Sequence, residues 1–273
     1  DELEGPVTLE ILDAAGEAIR SFTGRVGSAA GAAGGSRGGR GGFGGGARLP
    51  VSAGMNRFSW NLQYPEPELI GNALIYLGYR GGPVAVPGTY AARLTVGGWS
   101  EVRPFEVLAD PRRSDVASAD LEAQFDLQVH LRDLLTESHD AIKAIRSVRE
   151  QAASVARRAE EAGYESNLRV LARELSGKLT QVEESLVQTK SEARQDPINF
   201  PPMLDNQIGY LYRYVVNGYG RPTQAAYERY DELSAGLASL TADLGVLIDS
   251  DIARFNEAVS ELGLPGVIIF AKE

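Results

Sequence analysis

With 37 acidic against 27 basic side chains, the 273-residue chain carries a net charge of −10, the wrong sign for a nucleic-acid phosphate backbone, and it is long enough for two ordinary domains. It has no cysteine, which excludes disulfides, thiolate metal sites and a cysteine nucleophile and suits an exported bacterial protein. No run of about 18 apolar residues occurs, so no membrane span is expected.

In chain order, VTLEILDAAG places Val7, Leu9 and Ile11 on one face and reaches a turn at Ala15-Gly16; EAIRSFTG returns through Ile19 and Phe22 as a partner strand. From Gly24 to Pro50 glycine stands at nearly every second position, with four arginines among them. Such a tract cannot repay the entropy of ordering, so residues 25–48 are expected to be a disordered connection between strands, with Gly27 to Gly46 dispensable for folding. NRFSWNLQYP then puts Phe58, Trp60 and Leu62 on one face. PGTYAARLTVGG presents Tyr90, Ala92, Leu94 and Val96 before a Gly97-Gly98 turn, and WSEVRPFEV returns through Val102, Phe105 and Val107. Short strands at this spacing predict an antiparallel β-sandwich of immunoglobulin or fibronectin type III character over residues 1–112, with Trp60 and Trp99 in its core.

The character becomes helical after Arg113. Apolar residues recur at intervals of three and four from about Ala119 to Glu161, stopping at Ala162-Gly163, and again from Glu165 to near Arg194. A short, tyrosine-rich helix covers Leu204 to about Val216. A fourth starts at Pro222-Thr223, runs unbroken through Phe255 and stops before Pro265. Residues 113–273 thus read as an elongated antiparallel four-helix bundle with coiled-coil-like seams, and the fold class as α+β multidomain.

Chemistry is sparse. His130 and His139 lie about 180° apart around one helix, too far round to share a metal; both read as solvated or capping side chains, His139 within a charged strip with Asp140 and Lys143. The pattern offers no catalytic residue, cofactor site or metal set. The dense non-helical patch is Ala193 to Pro222, where Phe200 and Met203 read as plugs and Asp205 or Asn206 as a helix cap. Within it Tyr210, Tyr212, Arg213, Tyr214 and Tyr219 form a candidate interaction surface, being residue types enriched at binding hot spots. Their alternate spacing on a helix sends some inward and some outward.

The phrases MNRFSWNLQYP, PGTYAARLTVGGW, FEVLADPR, DLEAQFDLQVHLRD and QDPINFPPMLDNQIGYL resemble the carboxy-terminal portion of bacterial sortilin-like proteins, which are exported BNR-repeat β-propeller proteins often labelled glycosyl hydrolases. The resemblance implies that any hydrolytic site belongs to a propeller upstream of Asp1, a chain start that reads as a fragment or processed product. The expected function is therefore a noncatalytic region that caps or orients that propeller or contacts another envelope protein. It is expected to be monomeric, exported, and without nucleic-acid or membrane partners. The alternative is an accessory carbohydrate-binding module using Trp60, Trp99 and exposed tyrosines.

Overall fold

The computed structural model describes residues 5–25, 49–52, 54–164, 167–193 and 196–267, so the glycine-rich connection lies outside the described residues apart from Arg25. These residues form an α+β chain divided into two compact units. One comprises Asp1–Glu66, Gly81–Val129 and Gly218–Arg221; the other comprises Pro67–Arg80, His130–Asn217 and Pro222–Glu273.

In the first unit, β1 (Pro6–Leu12), β2 (Ala18–Arg25), β3 (Gly88–Val96) and β4 (Trp99–Val107) form one antiparallel sheet in the order β2-β1-β3-β4. The β1–β2 turn closes because Asp13 Oδ1 accepts the amides of Ala15 and Glu17 while Gly16 takes φ +85°. At the β3–β4 hairpin, where Val96 faces Trp99, Gly97 supplies φ +55°. Pairing sets Leu9 opposite both Phe22 and Leu94, and Tyr90 opposite Phe105. One core follows, around Val7, Ile11, Ile19, Phe22 and Tyr90, joined by Leu49, Val51 and Ala85.

Two expectations change here. Asn56–Leu62 is not a strand. Phe58 and Trp60 still pack on the sheet core, but Leu62 turns into the left-handed region at φ +59° and breaks the extension. Among the described residues, the ladder contact beside this segment is the isolated bridge from Gln63 to Val84. Trp60 sits edge-on to Tyr90 and Phe105 and donates Nε1–H to the Gln63 carbonyl, so it is partly buried through side-chain packing without strand pairing. Trp99, expected in the core, stands at the hairpin end and is 50% exposed.

Helix α1 (Ser118–Glu161) gives its first twelve residues to this unit and the remainder to the second. The second unit also holds α2 (Leu168–Leu186), α3 (Leu204–Val216), α4 (Gln224–Leu247) and α5 (Ala253–Glu261). Gly163, at φ +80°, ends α1 as its position predicts. Thr223 caps α4 by accepting the Ala226 amide. Helix α2 stops at Leu186, short of Arg194, because the polar run after Val187 offers nothing to bury. It packs on α3, α4 and α5 through Leu171, Leu175, Leu179 and Val182. The small stripe of Val148, Ala152 and Val155 on α1 is buried.

The fourth helix is not continuous. A π turn at Ile248–Ile252 separates α4 from α5. Two turns beyond the buried Leu244, an unbroken α-helix would bring Asp251 to the core face. The wider turn instead buries Ile252 and leaves Asp251 to pair with Lys178 at 2.5 Å. Contrary to the expectation for a membrane span, Gln224–Glu261 is long and apolar enough to cross a membrane by length and composition. Its Leu233, Leu237, Leu244, Ile252, Phe255 and Val259 nevertheless face the interior of this unit.

Candidate functional site

The tyrosines of α3 sort themselves by helix geometry. Residues two apart lie about 200° apart around the axis. Tyr212 therefore points opposite to Tyr210 and Tyr214: it is fully buried, while they are 58% and 56% exposed. Inward go Leu204, Ile208, Leu211, Tyr212 and Val215; outward, at helical spacing, go Gln207, Tyr210, Arg213 and Tyr214. Tyr219 belongs to the first unit, where its hydroxyl accepts the Asp110 amide and its ring lies under the Arg113 guanidinium. The five sequence candidates thus divide into an outward ridge of Tyr210, Arg213 and Tyr214, a core residue, and a residue of the other unit.

The ridge is built up by a segment that local sequence patterns do not reveal. Residues 67–80 (PELIGNALIYLGYR) cross α1 and α3 as an irregular strap. Lacking a ladder, its backbone finds partners on the helices. Thr136 Oγ1 accepts the Glu68 amide, and Asn206 holds both the amide and the carbonyl of Tyr76. The Gly209 carbonyl accepts the Tyr79 amide, and Arg213 donates to the Leu77 carbonyl at 3.0 Å. The strap lies so close to α3 that a Cβ on Gly209 would come within 2.5 Å of Ile75 Cγ2, and one on Gly78 within 2.9 Å of the Gly209 carbonyl carbon. Only glycine fits at this crossing. Asp205 and Asn206, expected as caps, lie inside the first turn of α3, where Met203 occupies the cap position.

Strap and ridge enclose a pocket of about 310 Å³ bordered by Tyr76, Leu77, Pro202, Tyr210 and Arg229. Gln207 and Arg229 at its border satisfy each other. Gln207 donates to the Pro202 carbonyl and accepts from Arg229, whose other amino group pairs with Glu232 at 2.7 Å. Apolar faces are left to meet an occupant. Leu77, at φ +54°, is 51% exposed.

Beneath the strap lies a buried titratable pair. His139 is fully buried, which corrects its reading as part of a solvated strip; Asp140 and Lys143 do pair beside it at 3.0 Å. Its Nδ1 accepts the Ile70 amide at 3.1 Å, so the neutral ring carries its proton on Nε2. That nitrogen lies 3.8 Å from Asp205 Oδ2, beyond hydrogen-bond distance, and neither atom has a hydrogen-bond partner among the described residues. Burial first, then the nearby Lys143 and Arg146 charges, depress His139 to about 4. Burial pushes Asp205 up to about 7, opposed by the Asn206 amide donating to Oδ1. Between those values both groups are neutral and the contact is not an ion pair. His130, by contrast, is exposed and stacks on Tyr230.

Among the described residues, no group of three or more His, Asp or Glu side chains is placed to hold a metal ion. Sequence reasoning missed the strap and its Tyr76 and Leu77. The available signal was the apolar content of a stretch with neither helical nor strand period. No family model matches the chain, and no curated protein or solved structure matches it.

Proposed function

We propose that this chain is a noncatalytic protein-interaction region: a sheet domain of sandwich type and a helical bundle that present the α3 ridge and its pocket to another folded protein. Following the sortilin-like resemblance, that partner is an upstream β-propeller of the same exported protein, or a second envelope protein. The observation that carries the reading is the outward pair Tyr210 and Tyr214, each more than half exposed, with a preformed pocket lined by Tyr210. The noncatalytic part is supported by the burial of His139 and Asp205, 0% and 2% exposed, where a substrate meets neither without opening the unit. The half-exposed Trp99 favours the alternative, an accessory carbohydrate-binding module, because an indole left in water at a hairpin end is a ready stacking platform.

Site-specific photocrosslinking in the native cell tests the proposal. A photoreactive residue at position 210 is expected to give a discrete adduct with a protein surface. One at Val170, equally exposed on α2, is expected to give none. Absence of an adduct from position 210, or equal labelling from both positions, overturns the interaction reading.

A further inference from the structure

We propose that the occupant of the α3 pocket is a single large apolar side chain, carried on an acidic segment of the partner protein. The proposal rests on the interaction reading above and adds the chemistry of the partner.

Size is the first argument. At about 310 Å³ the pocket lies at the bottom of the range for small-molecule sites. Tyr76, Leu77, Pro202 and Tyr210 give its border aromatic and aliphatic faces, and the Gln207 amide and Arg229 guanidinium there already hydrogen-bond to each other. That arrangement suits a single anchoring side chain.

Charge is the second argument. Acidic residues outnumber basic ones by ten in this chain, so bases are the scarce sign and carboxylate partners are plentiful. Arg132, Arg146, Arg149, Arg221 and Arg229 each have a carboxylate partner. Arg213 on the ridge and Arg80 on the strap differ from these, as do Arg57, Arg158 and Arg173, which belong to neither ridge nor strap. Arg213 and Arg80 are both exposed, and each donates to a backbone carbonyl, Leu77 and Ala73 respectively, with no ion pair to a carboxylate among the described residues. A guanidinium with unused donors beside an apolar pocket complements a carboxylate flanking an apolar anchor.

Preorganisation is the third. Leu77 is held in a backbone conformation that L-residues disfavour, with Asn206 fixing Tyr76 before it, Arg213 its own carbonyl and Gly209 the Tyr79 amide after it. The helices thus fix this rim in one shape with its apolar side chain facing water, and a partner meets it with little ordering left to do.

Amide chemical-shift titration of the 273-residue chain tests this, using three capped pentapeptides: Asp-Glu-Trp-Glu-Asp, its alanine version Asp-Glu-Ala-Glu-Asp, and its basic version Lys-Arg-Trp-Arg-Lys. The acidic tryptophan peptide is expected to give saturable shifts at Tyr76, Leu77 and Tyr210, with the other two binding about tenfold more weakly. Arg213→Glu is expected to lower affinity for the acidic peptide about tenfold and raise it for the basic one. A Tyr76 amide that stays in place shows that the strap is still seated in the variant, and Arg80→Glu repeats the charge test without touching Leu77. No saturable response to the acidic tryptophan peptide, or an equal response to the basic one, overturns the proposal. If position 210 crosslinks a partner but the acidic peptide does not bind, the interaction surface stands and its acidic chemistry falls; the reverse pattern removes the surface and keeps the pocket chemistry.

Discussion

Replacing Asp205 by asparagine is expected to stabilise the helical unit in a pH-dependent way. The folded state raises this carboxyl from its ordinary 3.8 to about 7, so the folded protein holds a proton that the unfolded chain releases. Its contribution is complete below about pH 4 and is lost as pH rises through 7. At about 1.4 kcal/mol per tenfold step, the loss amounts to about 4 kcal/mol. His139 works in the opposite sense. Its pKa falls from 6.5 to about 4 in the fold, so its contribution is complete above 6.5 and is lost as pH falls through 4. Between about pH 4 and 6.5 the two slopes nearly cancel, which makes the wild-type pair insensitive to pH there. Asparagine keeps the size of the protonated carboxyl and cannot ionise. The stability difference between variant and wild type should therefore be smallest near pH 4 and grow by a few kcal/mol by pH 8. Urea unfolding from pH 4 to 8, followed by helical circular dichroism, measures it. Parallel curves across that range would refute the argument, because a constant offset means that Asp205 does not keep its proton in the fold.

Three further outcomes are expected. Gly82→Ala drives a Cβ into the Tyr64 carbonyl oxygen and should cost more than about 2 kcal/mol of sheet-unit stability, read by tryptophan fluorescence during unfolding. Tyr212→Phe removes a buried hydroxyl that has no hydrogen-bond partner among the described residues, so calorimetry should show stability unchanged or up to about 1 kcal/mol higher; a loss of 2 kcal/mol would mean that the hydroxyl is bonded. Tyr210→Ser with Tyr214→Ser should leave the melting temperature almost unchanged, within about 0.5 kcal/mol per site, while abolishing crosslinking from a photoreactive residue at position 77; a large loss of stability would make the pair structural.

The helices were legible because their signal is local. The stop at Gly163 and the cap at Thr223 follow from residue chemistry at the positions concerned. Leu131, Leu135, Ile142 and Ile145 mark the inward face of α1, and His139, four residues after Leu135 and three before Ile142, lies on the same face. Its charged neighbours Asp140 and Lys143 drew attention away from that phase. The π turn was hidden because deleting or adding one residue of phase does not alter composition; only Asp251, at the spacing where a core residue was due, betrayed it. The β1–β2 hairpin was readable from alternation and its turn, but the pairing of β1 with β3 joins residues about eighty positions apart and left no local mark. Alternation also misled at Phe58 and Trp60, whose rings cover the sheet while their backbone leaves the ladder. In the candidate surface, the tyrosines were visible as residue types. The strap that gives them a pocket was not, since its shape comes from hydrogen bonds to α1 and α3 rather than from its own periodicity.

Hydroxyl-radical footprinting of the tyrosines tests the interaction surface most directly, comparing the isolated chain with the same chain in its native cell. Tyr210 and Tyr214 should oxidise readily in isolation and become protected in the native setting, while Tyr164, 44% exposed at the end of α1, reacts at the same rate in both. Equal oxidation of Tyr210 and Tyr214 in the two settings would contradict the account, because a docking surface that stays open to solvent in the cell docks nothing.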